Sequence, residues 1–479
     1  MSLRTVCSIA LVAVLAACAV NPATGRRELS LISESQEIQM GRDADPQVTA
    51  SIGLVEDPAL QAYVADLGQR LAATSERPTL PWSFKVVDDP VVNAFAIPGG
   101  FIYVTRGILA HFDSEAELAG VLGHEIGHVT ARHSVSQMSR QQLQTIGLGV
   151  GMVFSETVRD YGGLAVAGLQ VMNLRYSRGD ESQSDELGLR YITRAGYDAD
   201  AMIGVFQMLA QVGGGGGGQG RIPEWQLTHP YPENREADIR ERIAREGIRP
   251  GGTVARDAYL DRIDGLVYGE DPRQGFFQGA RFVHPELEWS LTFPEGWNTV
   301  NQRALVGAVA PDETAILVLE AVEDGPTTIA KLQEFLRQEG VSGGQTREDG
   351  FGPVERARAT FDLTTQEGAL RGEVAFVRYQ DVMYRVLGYS AASNWSRHSS
   401  AVASAISSFA AVTSPALLGV QPWRIDIATL PSAMSLNSYA ERFPGPVDAT
   451  VLGRLNRHDS GAVLSAGTRI KRVVGQPLP

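Results

Sequence analysis

The run His124-Glu125-Ile126-Gly127-His128 constrains this chain more than any other stretch. Each helical residue turns about 100°, so residues four apart project from one face, one turn above the other. Two imidazoles so placed can share a cation, with Glu125 beside them. Two neutral imidazoles and a carboxylate leave such a cation an open position for water, and a second carboxylate nearby can take the water's proton. Leu118, Leu122, Ile126 and Val129 form one arc predicted to face a core, and Val121, His124, Glu125 and His128 form the adjoining arc. Ser114 with Glu117 predicts a capping box where this helix begins. With eight histidines in the chain, the pattern is expected by chance in on the order of 1% of such sequences, so context must support it.

Downstream, Tyr176-Ser177-Arg178-Gly179-Asp180-Glu181-Ser182-Gln183-Ser184-Asp185 places two carboxylates one turn apart. Glu181 is the candidate third ligand. Asp185 is the candidate acceptor for the second ring N–H of a ligand histidine, which would fix that ring's tautomer. A histidine third ligand in the metzincin pattern is ruled out, because that position is Ser134 and the required glycine is Ala131. His133, five residues past His128, falls on a different face and is read as a packing or hydrogen-bonding residue outside the metal shell.

Four ordered motifs carry a family resemblance: Asn93 to Gly100, the helix motif, Ser177-Arg178 with Glu181 and Asp185, and His229-Pro230 followed by Arg235. Together they resemble the HtpX and BepA-like gluzincin metallopeptidases over residues 30 to 240. The resemblance implies one Zn²⁺ per chain on His124, His128 and Glu181, with Glu125 as base and hydrolysis of peptide bonds without a covalent intermediate. It also implies a catalytic place for His229, as oxyanion stabiliser or as a fourth ligand in a latent state, and for Arg235, on the substrate carbonyl. Gly213 to Gly218, an uninterrupted run of six glycines, suits a loop that lets His229 swing away. The strand Phe101-Ile102-Tyr103-Val104, just before the active-site helix, is the expected place for an extended substrate to add as a further strand.

At 479 residues the chain exceeds the ~250–300 residues at which single cores stop growing, so several domains are expected. The expected class is α+β. A mainly helical zinc metallopeptidase domain with a small β-sheet is placed at 33–265, and an α+β accessory domain at 275–412. A tail at 425–476 resembles the LysM repeat that binds peptidoglycan. A formal charge of −13 argues against a nucleic-acid partner, which needs clustered cations to displace counterions from phosphate.

The N-terminus reads as an export signal over 1–17, with Arg4 followed by an apolar run of 12 residues from Val6 to Ala17, too short to cross a bilayer. Leu15-Ala16-Ala17-Cys18 resembles the lipobox of bacterial lipoproteins. It predicts acylation of Cys18, a lipidated tether over 18–32, and a periplasmic protein anchored to the outer membrane, a location at which unfolded or misfolded envelope polypeptides are the expected substrates. The rival expectation is an envelope assembly factor or chaperone with a latent metal site, tethered to peptidoglycan or a partner. The apolar stretch Ile146 to Phe154 is read as a buried helix.

Overall fold

Local chemistry starts most of the helices. The computed structural model describes residues 18–25, 27–147, 176–214, 225, 229, 234–365 and 368–479. The expected signal 1–17, most of the apolar stretch ending at Phe154, and Gly215 to Gly218 lie outside them. Helix α1 (Glu34–Ile52) begins with a reciprocal cap: Ser33 Oγ accepts from the Gln36 N–H while Gln36 Oε1 accepts from the Ser33 N–H. Asp57 caps α2 (Pro58–Ala72), whose Leu60, Val64, Leu67 and Leu71 stripe is buried as its period predicts.

A three-stranded sheet follows, built from β3 (Ser83–Val87), β4 (Ala94–Ile97) and β5 (Phe101–Thr105) in the order β3-β5-β4. Strand β4 turns into β5 through Pro98-Gly99-Gly100, where both glycines take positive φ, a conformation open to them for want of a Cβ. Strand β5 is therefore central, paired in parallel with β3 on one side and antiparallel with β4 on the other. This corrects the expectation that Phe101, Ile102, Tyr103 and Val104 receive the substrate strand: their backbone groups on both edges are already used. The outer edge of β4 has no strand beside it among the described residues.

After α3 (Arg106–His111), helix α4 (Glu115–Thr130) carries the His-Glu motif and is buried along its whole length beyond Glu115. The expected division into a core arc and a site arc understates this burial, because later helices cover the second arc. Ser114 caps α4 as expected, but the Glu117 carboxylate accepts from the N–H of Asp113, one residue before the cap. Helix α4 packs on α6 (Arg178–Arg194) through small residues. A Cβ on Gly127 would lie 3.1 Å from Ser184, and one on Gly188 would lie 2.9 Å from the His124 nitrogen. Helices α5 (His133–Gly147), α7 (Asp200–Gly214), α8 (Arg235–Glu246) and α9 (Arg256–Ile263) complete this part.

The segment expected to be a tether has structure. Strands β1 (Cys18–Val20) and β2 (Arg27–Leu29) pair antiparallel, Asn21 Nδ2 donates to the Ala131 carbonyl at 3.1 Å, and the Leu31 N–H reaches Ser139 Oγ at 3.0 Å. The tail also departs from expectation. The chain falls into two compact units, and residues 423–475 belong with 53–269 and the N-terminal residues, not to a module of their own. Within the tail, strands Arg424–Thr429 and Arg469–Val474 pair antiparallel around helices Leu436–Arg442 and Ala449–Asn456. Its Ile425, Leu455 and Val473 enter the same hydrophobic core as α2 and α4, which is why it does not stand apart.

The second unit, centred on 270–422, is dominated by an antiparallel sheet. Its long strands Glu355–Thr365, Gly368–Tyr379, Val382–Ala391 and Ala315–Val322 are neighbours in that order, and helices Thr328–Leu336 and Trp395–Ser407 pack on it. Phe282, Trp289, Phe293, Tyr384 and Phe409 gather in its core.

Candidate active site

Helix α4 presents His124 and His128 one turn apart, with their Nε2 atoms 3.0 Å from each other. Helix α6 crosses at the glycine contacts and brings Glu181 within 3.6 Å of His124 Nε2 and 3.4 Å of His128 Nε2. His229 closes the group, its Nδ1 2.9 Å from Glu181 Oε1 and its Nε2 3.6 Å from Glu125 Oε1. One donor atom from each of His124, His128, Glu181 and His229 lies within 4.8 Å of the others, and all four side chains are buried. Ring nitrogens this close and a carboxylate at the same point form a set that a divalent cation fits, and two imidazoles with a carboxylate suit zinc. Glu125 Oε2 supports the fit, being buried with no hydrogen-bond partner.

Asp185 Oδ1 stands 2.9 Å from His124 Nδ1, so His124 can donate there while its Nε2 lone pair points into the group. Arg235 is placed otherwise than expected. Its Nε donates to Asp185 Oδ2 at 2.8 Å and its Nη2 to Asp185 Oδ1 at 2.5 Å, and its Nη1 lies 3.2 Å from Glu181 Oε2. The guanidinium is thus committed to two carboxylates behind the histidines, with its face over the Phe206 ring. That is a holding position, and the expected bond to a substrate carbonyl gives way to it.

Burial pushes the Glu125 carboxyl above its usual range, while His229 and His124 pull it down. For Glu181, burial opposes ionisation, but His229 and the hydrogen bond from His128 hold it well below the ordinary value. Burial likewise opposes the Asp185 charge, and Arg235 overcomes it. Burial lowers His128 well below a free imidazole and so favours the neutral form that a metal needs. His229 goes the other way: Glu181 and Glu125 raise it against the cost of burial.

A cavity of about 50 Å³ adjoins His124 and Glu125, bordered by Asn93, Ala94, Phe206 and His229. Asn93, at the start of β4, has a buried side-chain oxygen with no hydrogen-bond partner. Sequence reasoning placed Asn93 in a motif but assigned it no role, and it did not single out Tyr176, whose ring stacks on His128 with centroids 3.9 Å apart. The signals available were the position of Asn93 before a short apolar run and that of Tyr176 directly before the cap of α6.

A helix-borne histidine pair, a glutamate from a second helix and a buried glutamate beside them are the arrangement of a metallopeptidase site. Residues 58–243 match the sequence profile of Peptidase family M48, which supports a metallopeptidase resembling that family. The beta-barrel assembly-enhancing protease of Yersinia pestis is 34% identical over 266 residues, covering 52% of each chain. Its Escherichia coli K12 counterpart is 32% identical over 230 residues, covering 46% of each. The mitochondrial metalloendopeptidase OMA1 of Arabidopsis thaliana is 35% identical over 166 residues, covering 34% of this chain and 32% of that one. The chain thus spans about half the length of the first two relatives. Among solved structures, cyanobacterial PsbP from Synechocystis covers 28% of this chain at 10% identity, with a TM-score of 0.24.

Proposed function

We propose that this chain is a zinc-dependent endopeptidase that hydrolyses peptide bonds of unfolded or misassembled envelope polypeptides. The observation that carries the reading is Glu125, buried and raised in pKa beside a donor set that fits zinc. Zinc held by His124, His128 and Glu181 would polarise the scissile carbonyl and the attacking water. Glu125 takes the water's proton and passes it to the leaving amine, a role suited to a carboxyl whose pKa burial has raised. Asp185, held by Arg235, keeps His124 in the tautomer that offers Nε2. The names of the beta-barrel assembly-enhancing relatives support envelope proteins as the substrate class.

An extended substrate would lie along the outer edge of β4. The Thr105 N–H donates to the Asn93 carbonyl, so alternation along the antiparallel ladder turns the N–H and C=O groups of Ala94 and Ala96 away from β5. Backbone pairing of this kind gives affinity with little sequence preference. Asn93 would add a side-chain bond at the end of that edge.

The cavity of about 50 Å³ has room for a few waters but not for a peptide. His229, with a donor atom within 4.8 Å of those of His124, His128 and Glu181, supports a latent state in which it is a fourth ligand. The same geometry supports the second reading, an assembly factor or chaperone whose hydrolysis is intermittent. Cys18 would carry the lipid that anchors the chain to the outer membrane from the periplasm, and the tail would be the part that contacts peptidoglycan.

Cleavage of casein by the chain from residue 19, alongside Glu125→Gln with zinc measured in both, tests the reading. Glu125→Gln should keep zinc and lose about 10²–10⁴-fold in rate. A wild-type chain that folds yet takes up no supplied zinc would sink it. Wild type that binds zinc but is inactive should gain activity in His229→Ala.

A further inference from the structure

The two histidines of the helix motif are backed in different ways. His124 has a carboxylate behind it, in Asp185. His128 has another histidine: its Nδ1 lies 2.9 Å from His133 Nδ1, and His133 Nε2 lies 2.9 Å from Gln183 Oε1. We propose that His133 and Gln183 are positioning residues that fix the tautomer and plane of His128, and so set the metal affinity of the site. The inference rests on the zinc reading above.

Two ring nitrogens at that distance hold one proton between them. If it sits on His133, the neutral His128 ring carries its own proton on Nε2, where the lone pair is needed. If it sits on His128, then Nδ1–H donates to His133 Nδ1 and His128 Nε2 is left bare toward His124 and Glu181. Neutral His133 then has its proton on Nε2, facing Gln183 Oε1, which accepts it. The order His128 to His133 to Gln183 gives each proton one place, with a neutral amide at the end. Ser184 Oγ is 3.4 Å from His133 Nδ1 and Asp180 Oδ1 is 3.8 Å from His133 Nε2, both longer than the bonds in the chain.

The backbone supports the same assignment. Arg132 takes a left-handed turn, φ 59°, between α4 and α5, which folds His133 back over the end of α4. Its side chain is held there by Glu37 Oε2 at 2.9 Å and the Ile32 carbonyl at 2.8 Å. Tyr176 covers the face of His128, so the ring is gripped at both its edge and its face. Helix α6 thereby supplies the ligand Glu181, the partner of His124 and, through Gln183, the end of the chain behind His128.

The test is zinc affinity of the full chain, measured by competition with a chromophoric chelator, for wild type, His133→Phe, His133→Asn and Gln183→Leu. Asparagine keeps an acceptor where His133 Nδ1 stands, and phenylalanine keeps the bulk without it. Zinc binding should weaken about 10- to 100-fold in His133→Phe, in the same direction but less in Gln183→Leu, and stay within roughly three-fold of wild type in His133→Asn. Cobalt(II) bound in place of zinc should show shifted visible bands in His133→Phe alone among the two His133 variants. Unchanged zinc affinity in His133→Phe would overturn the proposal while leaving the metal site intact. Equal losses in both His133 variants, with an equal fall in the thermal stability of the chelator-treated chains, would assign His133 a packing role and overturn it too. A wild-type chain that takes no zinc would remove the metal reading and this inference together.

Discussion

Asp185 and Arg235 lie behind His124 as a buried ion pair, so each depends on the other. Asp185→Asn leaves His124 a weaker acceptor and Arg235 short of a charge, and zinc affinity should fall about 10- to 100-fold by chelator competition. A different single residue should make the chain acid-labile. His111 is partly buried with its Nδ1 sealed from water and unpartnered, and burial together with Lys471, Arg454 and Arg457 lowers its pKa to about 3. Below pH 6.5 the unfolded chain takes up a proton that the native chain refuses, so stability is full above that pH and falls as the pH drops toward 3. Between pH 6.5 and 5 the loss should be on the order of 2 kcal/mol, and denaturant titrations of His111→Gln should show a correspondingly flatter profile over that range. At this scale the grouping of the site residues was legible, since His124 with His128 and Glu181 with Asp185 are each four apart on one helix. The role of Arg235 was not, because its partners lie on another element; His133 was legible as a hydrogen-bonding residue outside the cluster, but its partners His128 and Gln183 were not, for the same reason.

Helices α4 and α6 must approach closely for Glu181 to reach the histidines, and Gly123, Gly127 and Gly188 permit it. Valine at Gly127 would press on Ser184 and Leu187. It should cost roughly 1–3 kcal/mol in unfolding free energy and weaken zinc binding along with it. Strand β4 offers a separable test, because the Ala96 N–H points away from β5. Ala96→Pro removes that donor without touching the ladder, so KM for an unfolded substrate should rise several-fold while zinc content stays at wild type. Unchanged kinetics would dismiss β4 as the substrate edge. The small-residue spacing was visible in the sequence but had no meaning until a partner helix was known. Strand β4 was legible only as part of the Asn93 to Gly100 motif, since four apolar residues signal neither strand nor helix by period.

The tail couples distant parts of the first unit. Arg457 pairs with Glu117 in the first turn of the active-site helix, and the buried Lys471 donates to the Phe112 carbonyl at 2.7 Å just before it. Arg457→Ala leaves the Glu117 carboxylate buried without its cation and should cost about 3 kcal/mol by denaturant titration. A chain ending at 422 should fail to give a soluble, zinc-binding protein, whereas an independent tail would make that deletion harmless. What the sequence by itself determined was local: helix periods, caps, the spacing of His124, Glu125 and His128, and the Pro-Gly-Gly turn all act within a few residues of chain. The tertiary structure alone decided that β5 is central and β4 is the edge, that Arg235 holds carboxylates, that His133 backs His128, and that the tail joins the catalytic core. Each of these rests on contacts between residues far apart in sequence, where neither period nor spacing says which partner wins.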